Sequence, residues 1–219
     1  MEQLFKKFAP LCAMVMKQNG DSVDFLGTAF AVREDGYLAT AAHVVKDQEK
    51  LLISPATDAT GYQATSQKLR CLAVSVVQMD EPHDVALLKL AEAISLKLPP
   101  DLLGDADTLA PGASIAHLGY PFGKTGVLAL ALRSGVLAAK TESAQGIQQL
   151  YLEGSAYSGA AGGPVLDTRH SRVIGIITRQ ISLVPVAQAS GSDFRLPVMT
   201  DMTYASPINV LVKLLTDTR

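Results

Sequence analysis

The chain has 219 residues, of which 48% are hydrophobic, enough to bury the core of one large β domain or of two small ones that share a face. Its 19 basic and 21 acidic residues leave a formal net charge of −2, which gives no electrostatic case for binding nucleic acid or an anionic membrane surface. Only two cysteines occur, Cys12 and Cys71, so a disulfide framework is excluded and a reducing, cytoplasmic compartment is favoured.

The first apolar run, residues 8–16, follows two lysines as the apolar part of a signal peptide would. It is too short for that role, contains Pro10 and lacks a cleavage site of small residues. Turn residues at 18–21 connect it to a second strand-like run at 25–32, so we predict a hairpin and no leader. No run approaches the roughly 18 consecutive apolar residues of a membrane span.

Short apolar runs separated by turn residues continue along the chain, which is typical of many short β-strands. In the first half they cover residues 37–40, 50–53, 69–77 and 85–90. In the second half they cover residues 114–118, 127–132, 134–139, 148–152, 165–166 and 173–178.

A proline-containing region at 99–111 separates these two sets of runs and is the predicted hinge. The chain is therefore predicted to form two β units, residues 1–105 and 106–219. Only the last stretch, residues 207–216, has apolar residues at helical spacing, so we predict one helix at the C-terminus.

The most informative stretch is residues 154–165, Gly-Ser-Ala-Tyr-Ser-Gly-Ala-Ala-Gly-Gly-Pro-Val, which predicts a tight backbone turn. Alone, it also fits an ordinary glycine-rich connection between strands. Two upstream motifs change that interpretation, because His43 ends Thr-Ala-Ala-His and Asp84 begins Asp-Val-Ala-Leu-Leu. Histidine, then aspartate, then a small residue in a glycine-rich turn is the order of a chymotrypsin-type triad.

The sequence resembles the trypsin-like peptidase domains of the chymotrypsin fold, in particular the bacterial HtrA-like branch. The resemblance is carried, in family order, by residues 35–45, 84–90, 118–123, 133–136, 173–176 and 204–209. It implies an all-β fold of two packed six-stranded antiparallel β-barrels with a C-terminal helix. HtrA proteins usually continue into a PDZ domain. One expectation is therefore a downstream domain or regulatory partner outside this chain, and the alternative is a single-domain relative.

The resemblance also implies roles for the site residues. His43 would be the general base, Asp84 would orient it, and the amides of Gly159 and Ala161 would form the oxyanion hole. Ala161 occupies the place of the nucleophilic serine, and its methyl group cannot attack a carbonyl. We therefore expect a serine endopeptidase domain that is inactive in this form or, alternatively, a natural pseudoprotease that binds peptides or proteins. The retained His43 and Asp84 favour the first, since a binding module does not need an ordered base.

The expected ligand is a peptide or protein substrate, held by a pocket with two predicted walls. One wall is residues 155–158, with Ser155 and Tyr157, and the other is Thr178, Arg179 and Gln180. Ser155 stands where proteases specific for Lys or Arg carry an acidic group, so we expect small or medium uncharged side chains to be preferred. Residues 178–180 would offer their edge to the substrate backbone. Arg179 or Arg133 would instead attract an acidic side chain, so a glutamate preference is the competing prediction.

The remaining histidines, His83, His117 and His170, match no family position and are predicted to be structural or exposed. Cys12 and Cys71 are predicted to be small core residues. No cluster of His and Cys has metal-ligand spacing, so no metal and no cofactor are expected.

Two further features concern regulation. Ala160 replaces the aspartate that pairs with a new N-terminal amine in activated trypsins, so a cleavage switch of that type is not expected. Residues 183–201, rich in Ser, Gly and Pro, form a candidate regulatory loop.

Overall fold

The computed structural model describes residues 1–56, 69–183 and 198–218. Twelve β-strands in these ranges form two closed antiparallel barrels of six strands each. The predicted fold class, two six-stranded barrels with a C-terminal helix, is confirmed. The regulatory loop predicted at 183–201 lies mostly outside the described residues.

The first barrel has the strand order β1-β2-β3-β6-β5-β4. Its strands are β1 (Cys12–Asn19), β2 (Ser22–Arg33), β3 (Tyr37–Thr40), β4 (Leu51–Pro55), β5 (Leu72–Asp80) and β6 (Val85–Leu90). Helix α1 (Glu2–Phe8) precedes the barrel, and the one-turn helix α2 (Ala42–Val45) lies between β3 and β4. The predicted first hairpin is confirmed as the antiparallel pair β1 and β2.

The second barrel has the strand order β10-β11-β12-β9-β8-β7. Its strands are β7 (Ser114–Gly119), β8 (Ala131–Glu142), β9 (Gln148–Glu153), β10 (Pro164–Asp167), β11 (Arg172–Leu183) and β12 (Val198–Pro207). Helix α3 (Ile208–Asp217) follows directly and matches the predicted C-terminal helix. No helix in the described ranges is long and apolar enough to cross a membrane.

Buried apolar side chains form three clusters, and their membership shows how the barrels are joined. One fills the first barrel and another fills the second. The third contains side chains from both barrels and from both terminal helices, including Phe8, Phe30, Leu118, Ile176 and Leu211. Each fully buried side chain of this size contributes about 1.5–3 kcal/mol through removal from water. The third cluster therefore holds the two barrels in one orientation.

The expectation of a single helix was wrong, because Glu2–Phe8 also forms one. The segment is only two turns long, too short to show helical periodicity, and only Leu4 and Phe8 are buried. Pro10 then lies in a 3-10 turn, Ala9–Leu11, so the first strand begins at Cys12 and not at residue 8.

Two strand predictions in the second half also differ from the structure. The runs at 127–132 and 134–139 are one strand, β8, which begins only at Ala131. The predicted runs also omit β12, in which the polar residues Thr203 and Ser206 are buried, so an apolar run does not mark this strand. The boundary between residues 105 and 106 remains a prediction; Asp105 there caps a 3-10 turn, Ala106–Thr108, by accepting a hydrogen bond from the Asp107 amide.

Both cysteines are free thiols, and Cys12 is fully buried between Phe8 and the first barrel. Burial raises the pKa of the Cys12 thiol well above its ordinary range. Cys12 is thus an apolar core residue that stays protonated. Cys71 is only partly buried, and burial raises its pKa as well.

His117 on β7 is buried at 3% exposure, opposite Arg133 on β8 in the strand register. Its Nε2 atom finds no hydrogen-bond partner among the described residues. Burial and, to a smaller extent, the positive charge of Arg133 lower the pKa of His117 to about 4. The prediction that His117 is structural agrees with this position in the core.

The buried His117 predicts a loss of stability in mild acid. An unfolded histidine takes up a proton near pH 6.5, whereas His117 in the folded protein does so only near pH 4. The free energy of unfolding is therefore unaffected by this group above about pH 6.5. It decreases as the pH falls from 6.5 toward 4, by roughly 3 kcal/mol at most. Urea denaturation across this range should show the loss for the parent chain and a smaller one for His117→Leu. If the free energy of unfolding decreased equally with pH in the two proteins, the prediction would be contradicted.

Candidate active site

His43 lies in α2, which connects β3 to β4 of the first barrel. Ala41 is extended, and the Ala42 amide donates a hydrogen bond to the carbonyl oxygen of Asp84 at 3.1 Å. The small residues before His43 allow this close approach of two backbones, since both alanines are buried. The His43 side chain projects into the space between the barrels and is 52% exposed.

Asp84 ends the turn 81–84 that leads into β6, and its positive φ of 57° is a left-handed conformation that aspartate adopts more readily than most residues. Its Oδ1 accepts from the His43 amide at 2.8 Å and its Oδ2 accepts from His43 Nδ1 at 2.7 Å. Because a carboxylate only accepts hydrogen bonds, the proton of the neutral imidazole lies on Nδ1 and Nε2 is left as the basic atom. This is the tautomer that a general base requires.

A second His–Asp contact supports the turn that carries Asp84. Asp80 accepts from the amide of His83 and from its Nδ1, both at 3.0 Å. The carbonyl oxygen of His83 in turn accepts a hydrogen bond from the Ser206 hydroxyl at the end of β12. His83 is thus structural, as predicted, and ties the Asp84 turn to the second barrel.

The turn predicted to carry the nucleophile contains a short 3-10 helix, Ser158–Ala160, in which the Ala160 amide donates to the Tyr157 carbonyl at 2.8 Å. Ala161 follows and is 4% exposed, with its side chain in the apolar cluster of the first barrel. Gly162 next has a φ of +87°, and its amide donates to the Ile177 carbonyl at 2.7 Å. The turn is therefore held by backbone hydrogen bonds that do not depend on the side chain at 161.

Thr28 on β2 joins this turn to the first barrel and is completely buried. Its amide donates to the Ala161 carbonyl at 2.8 Å, and its hydroxyl donates to the Gly159 carbonyl at 2.9 Å. The same hydroxyl accepts from the Tyr120 amide at 3.1 Å. The Thr28 carbonyl accepts from the Thr40 hydroxyl at 2.7 Å, three residues before His43. Thr28 is therefore the bridge between the two halves of the site.

A cleft of about 330 Å³ opens between the barrels at this point. Five of the predicted site residues line it, namely His43, Ala161, Thr178, Arg179 and Gln180. Ser158, from the wall predicted at residues 155–158, lines it as well. The sequence did not indicate five other lining residues, namely Phe25, Leu26, Val44, Gln48 and Lys124. Lys124 belongs to a 3-10 turn, Gly123–Thr125, whose contact with the cleft has no local sequence signal.

The other predicted site residues lie beside the cleft. Gly159 and Ser155 are buried and do not line it. Tyr157 is exposed, and its ring packs against that of Phe122 with a centroid distance of 5.2 Å. The Arg133 guanidinium lies 5.4 Å from the Tyr157 ring centroid and does not line the cleft. The oxyanion role of Gly159 and Ala161 and the pocket roles of Ser155 and Tyr157 remain predictions.

The described residues contain no group of three or more His, Cys, Asp or Glu side chains placed to bind a metal ion. The site as described thus consists of an oriented imidazole and a backbone turn that face one cleft. In chemical terms it holds a base and a set of backbone dipoles next to a residue that has no reactive side chain.

The first barrel supplies a histidine oriented by a carboxylate, and the second supplies a glycine-rich turn. Together these parts are typical of a trypsin-like peptidase site. The family model of the trypsin-like peptidase domain matches residues 27–176, more than half of the chain. The chain belongs to this family.

Its curated relatives include HtrA-type proteases. Serine protease HTRA1 of Xenopus tropicalis is 31% identical over 71% of this chain and 32% of its own length. The magnetosome formation protease MamE of Paramagnetospirillum magneticum is 30% identical over 72% of this chain and 20% of its own length. The chain thus spans between a fifth and a third of these relatives.

Among solved structures, the HtrA-type protease AlgW with tripeptide has a TM-score of 0.70 and 21% identity, covering 98% of this chain and 62% of its own. AlgW with decapeptide has the same TM-score at 18% identity, covering 98% of this chain and 66% of its own. These likenesses confirm the HtrA-like chymotrypsin fold of the described barrels.

The bridge at Thr28 predicts that Thr28→Val lowers stability. Valine has nearly the same shape but leaves the Gly159 carbonyl without its donor and the Tyr120 amide without its acceptor. Buried groups left unpaired in this way cost about 1–3 kcal/mol. Urea denaturation should show that loss, whereas Thr28→Ser, which keeps the hydroxyl, should lose less. A Thr28→Val protein as stable as the parent would show that the Thr28 hydroxyl does not contribute to stability.

A matched pair of glycines tests the packing of the turn. At Gly162 an added Cβ would overlap the Thr28 carbonyl oxygen and the Thr40 hydroxyl, and φ is positive as well. Gly112 has a φ of +94° but nothing lies within 4 Å of an added Cβ. Gly112→Ala should therefore cost only the backbone strain, about 1 kcal/mol, while Gly162→Ala should cost about 2–4 kcal/mol. Thermal denaturation of both variants checks this, and equal losses would exclude the overlap.

Proposed function

We propose that this domain is a serine endopeptidase scaffold that binds a peptide in the cleft and, with Ala161 at the nucleophile position, does not hydrolyse it. The observation that carries the proposal is the His43–Asp84 pair, in which one carboxylate accepts from both the amide and Nδ1 of the histidine. The two bonds fix the ring in the orientation and tautomer of a base, and the ring lines the same cleft as Ala161.

Each part of the mechanism has a separate physical task. Neutral His43 would take the proton of a nucleophile on Nε2, while Asp84 stabilises the imidazolium that forms. The backbone amides of Gly159 and Ala161 would donate to the carbonyl oxygen as it gains negative charge. The missing part is the hydroxyl, because the methyl group of Ala161 supplies neither a lone pair nor a proton.

A natural pseudoprotease is the second candidate, and the observation that favours it is the packing of Ala161. Its methyl group is buried in the apolar cluster of the first barrel beside Val44 and Ala42. A binding module would gain from this contact without needing a nucleophile. The ordered tautomer of His43 is the argument against it, since peptide binding alone does not require a base.

The ligand expected in either case is an extended peptide. Residues 178–180 on β11 line the cleft and would pair with the peptide as an added strand. No Asp or Glu lines the cleft among the described residues, and Ser155 is uncharged. A Lys or Arg side chain of the peptide would therefore find no carboxylate in the cleft lining to neutralise its charge. We therefore propose small or medium uncharged side chains at the central position of the peptide.

The decisive prediction is that Ala161→Ser confers proteolysis. Removal of a triad serine costs about 10⁶-fold in turnover in a working protease, so its introduction should give a large gain against casein or a mixed peptide library. The variant should also react with a fluorophosphonate, which the parent chain cannot do at this position. Mass spectrometry of the adduct and a peptide-cleavage assay check both outcomes.

The matched control is His43→Ala in the Ala161→Ser background, which should abolish labelling and cleavage together because base and nucleophile act as a unit. The stability of Ala161→Ser should differ from that of the parent by no more than about 1 kcal/mol, since the backbone bonds of the turn are unaffected. A folded Ala161→Ser variant that binds peptides but neither labels nor cleaves would favour the pseudoprotease.

A further inference from the structure

The side chains that line the cleft carry only positive formal charge. Lys124 and Arg179 are both lining residues and both exposed, and no Asp or Glu lines the cleft among the described residues. Asp84 is hydrogen-bonded to Nδ1 of His43 and does not line the cleft. The charge of the cleft lining is thus positive, whereas the net charge of the whole chain is −2.

Lys124 is held at one part of the cleft by the 3-10 turn Gly123–Thr125. This turn packs directly on the Phe25 ring of β2, so closely that a Cβ at Gly123 would overlap the ring. The turn is closed by the Thr125 amide and hydroxyl, which both donate to the Phe122 carbonyl. The Cα of Lys124 is therefore fixed, although its side chain is long and exposed.

Arg179 is held by an aromatic pair on the second barrel. Its guanidinium carbon lies 5.0 Å from the centroid of the Tyr204 ring, within cation–π range. Tyr204 is itself fixed by an edge contact with Tyr151 at a centroid distance of 4.5 Å and a hydroxyl contact at 3.2 Å. An arginine guanidinium carries its N–H donors in a planar fork, two of which can bind one carboxylate.

Neither cation forms an ion pair with a carboxylate in the part of the chain that the structure describes. On the first barrel, by contrast, Lys46 is paired with Glu81 at 2.7 Å and Arg33 with Asp35 at 2.7 Å. Arg133, the other arginine considered for acidic specificity, lies outside the cleft over Tyr157. The charge available to a ligand in the cleft thus comes from Lys124 and Arg179.

We propose that the cleft selects acidic peptides, with one carboxylate side chain bound at Arg179, another near Lys124, and an uncharged residue between them. This inference rests on the proposed function and names the substrate class of the same site. The two cations attract an anionic segment before contact and make the association dependent on salt. A peptide with basic flanks would bring like charges together at both positions.

The test uses the chain as it stands, with Ala161, and labelled short peptides that have an identical uncharged centre and flanks of Glu, Gln or Lys. Fluorescence anisotropy should give about tenfold tighter binding for the Glu peptide than for the Gln peptide at low ionic strength, a difference of about 1.4 kcal/mol. The Lys peptide should bind most weakly. High salt should bring the Glu and Gln affinities together.

Variants separate the two cations from the general charge of the protein. Arg179→Gln and Lys124→Gln should each reduce the ratio of Glu to Gln affinity, and the double variant should bring it close to one. Arg179→Lys should retain part of the preference, because the charge stays while the planar fork is lost. Lys213→Gln on the exposed face of α3, which does not line the cleft, should leave the ratio unchanged.

The outcomes distinguish this inference from the proposed function. Equal affinity for Glu and Gln peptides, or tighter binding of the Lys peptide, would overturn the acidic selection and leave peptide binding established. A preference that Lys213→Gln reduces as much as the cleft variants do would also overturn it, since bulk charge would then be the cause. Absence of binding by all three peptides would overturn both.

Discussion

The two halves of the site depend on one buried residue, Thr28. Its backbone and hydroxyl make hydrogen bonds to Gly159, Ala161 and Tyr120 of the second barrel, and its carbonyl accepts from Thr40 just before His43. Because all of these groups are shielded from water, each bond that breaks would leave an unpaired dipole in the core. The turn at 158–162 can therefore shift relative to His43 only at considerable cost.

This arrangement explains how the site can remain ordered with alanine at position 161. The bonds that position the turn involve the carbonyl of Ala161 and the amides of Ala160 and Gly162. The bonds that orient His43 come from Asp84, whose own turn is supported by Asp80 and Ser206. Neither set includes the side chain at 161. The order of the site is thus independent of the side chain at 161, because that side chain takes part in none of these hydrogen bonds.

The positive charge of the cleft comes from side chains that take no part in the buried hydrogen bonds of the site. Arg179 projects from a strand whose backbone pairs with β12, and Lys124 projects from a turn seated on Phe25. Their replacement would alter the charge of the cleft without disturbing a buried hydrogen bond. Function on such a fold is therefore a property of the site, while the barrels supply rigid positions for it.

The sequence alone determined the order of His43, Asp84 and Ala161, the alternation of short strands, and the helical spacing that became α3, because each is a local pattern or a motif along the chain. It did not indicate α1, which is too short to show a period. It also did not indicate the Thr28 bridge, the Ser206 contact or Lys124 in the cleft. Thr28 and Gly159 are 131 positions apart, and Ser206 and His83 are 123 apart. Such hydrogen bonds form only when both barrels have closed and packed together. A local sequence pattern does not indicate which distant residues will be neighbours in the fold.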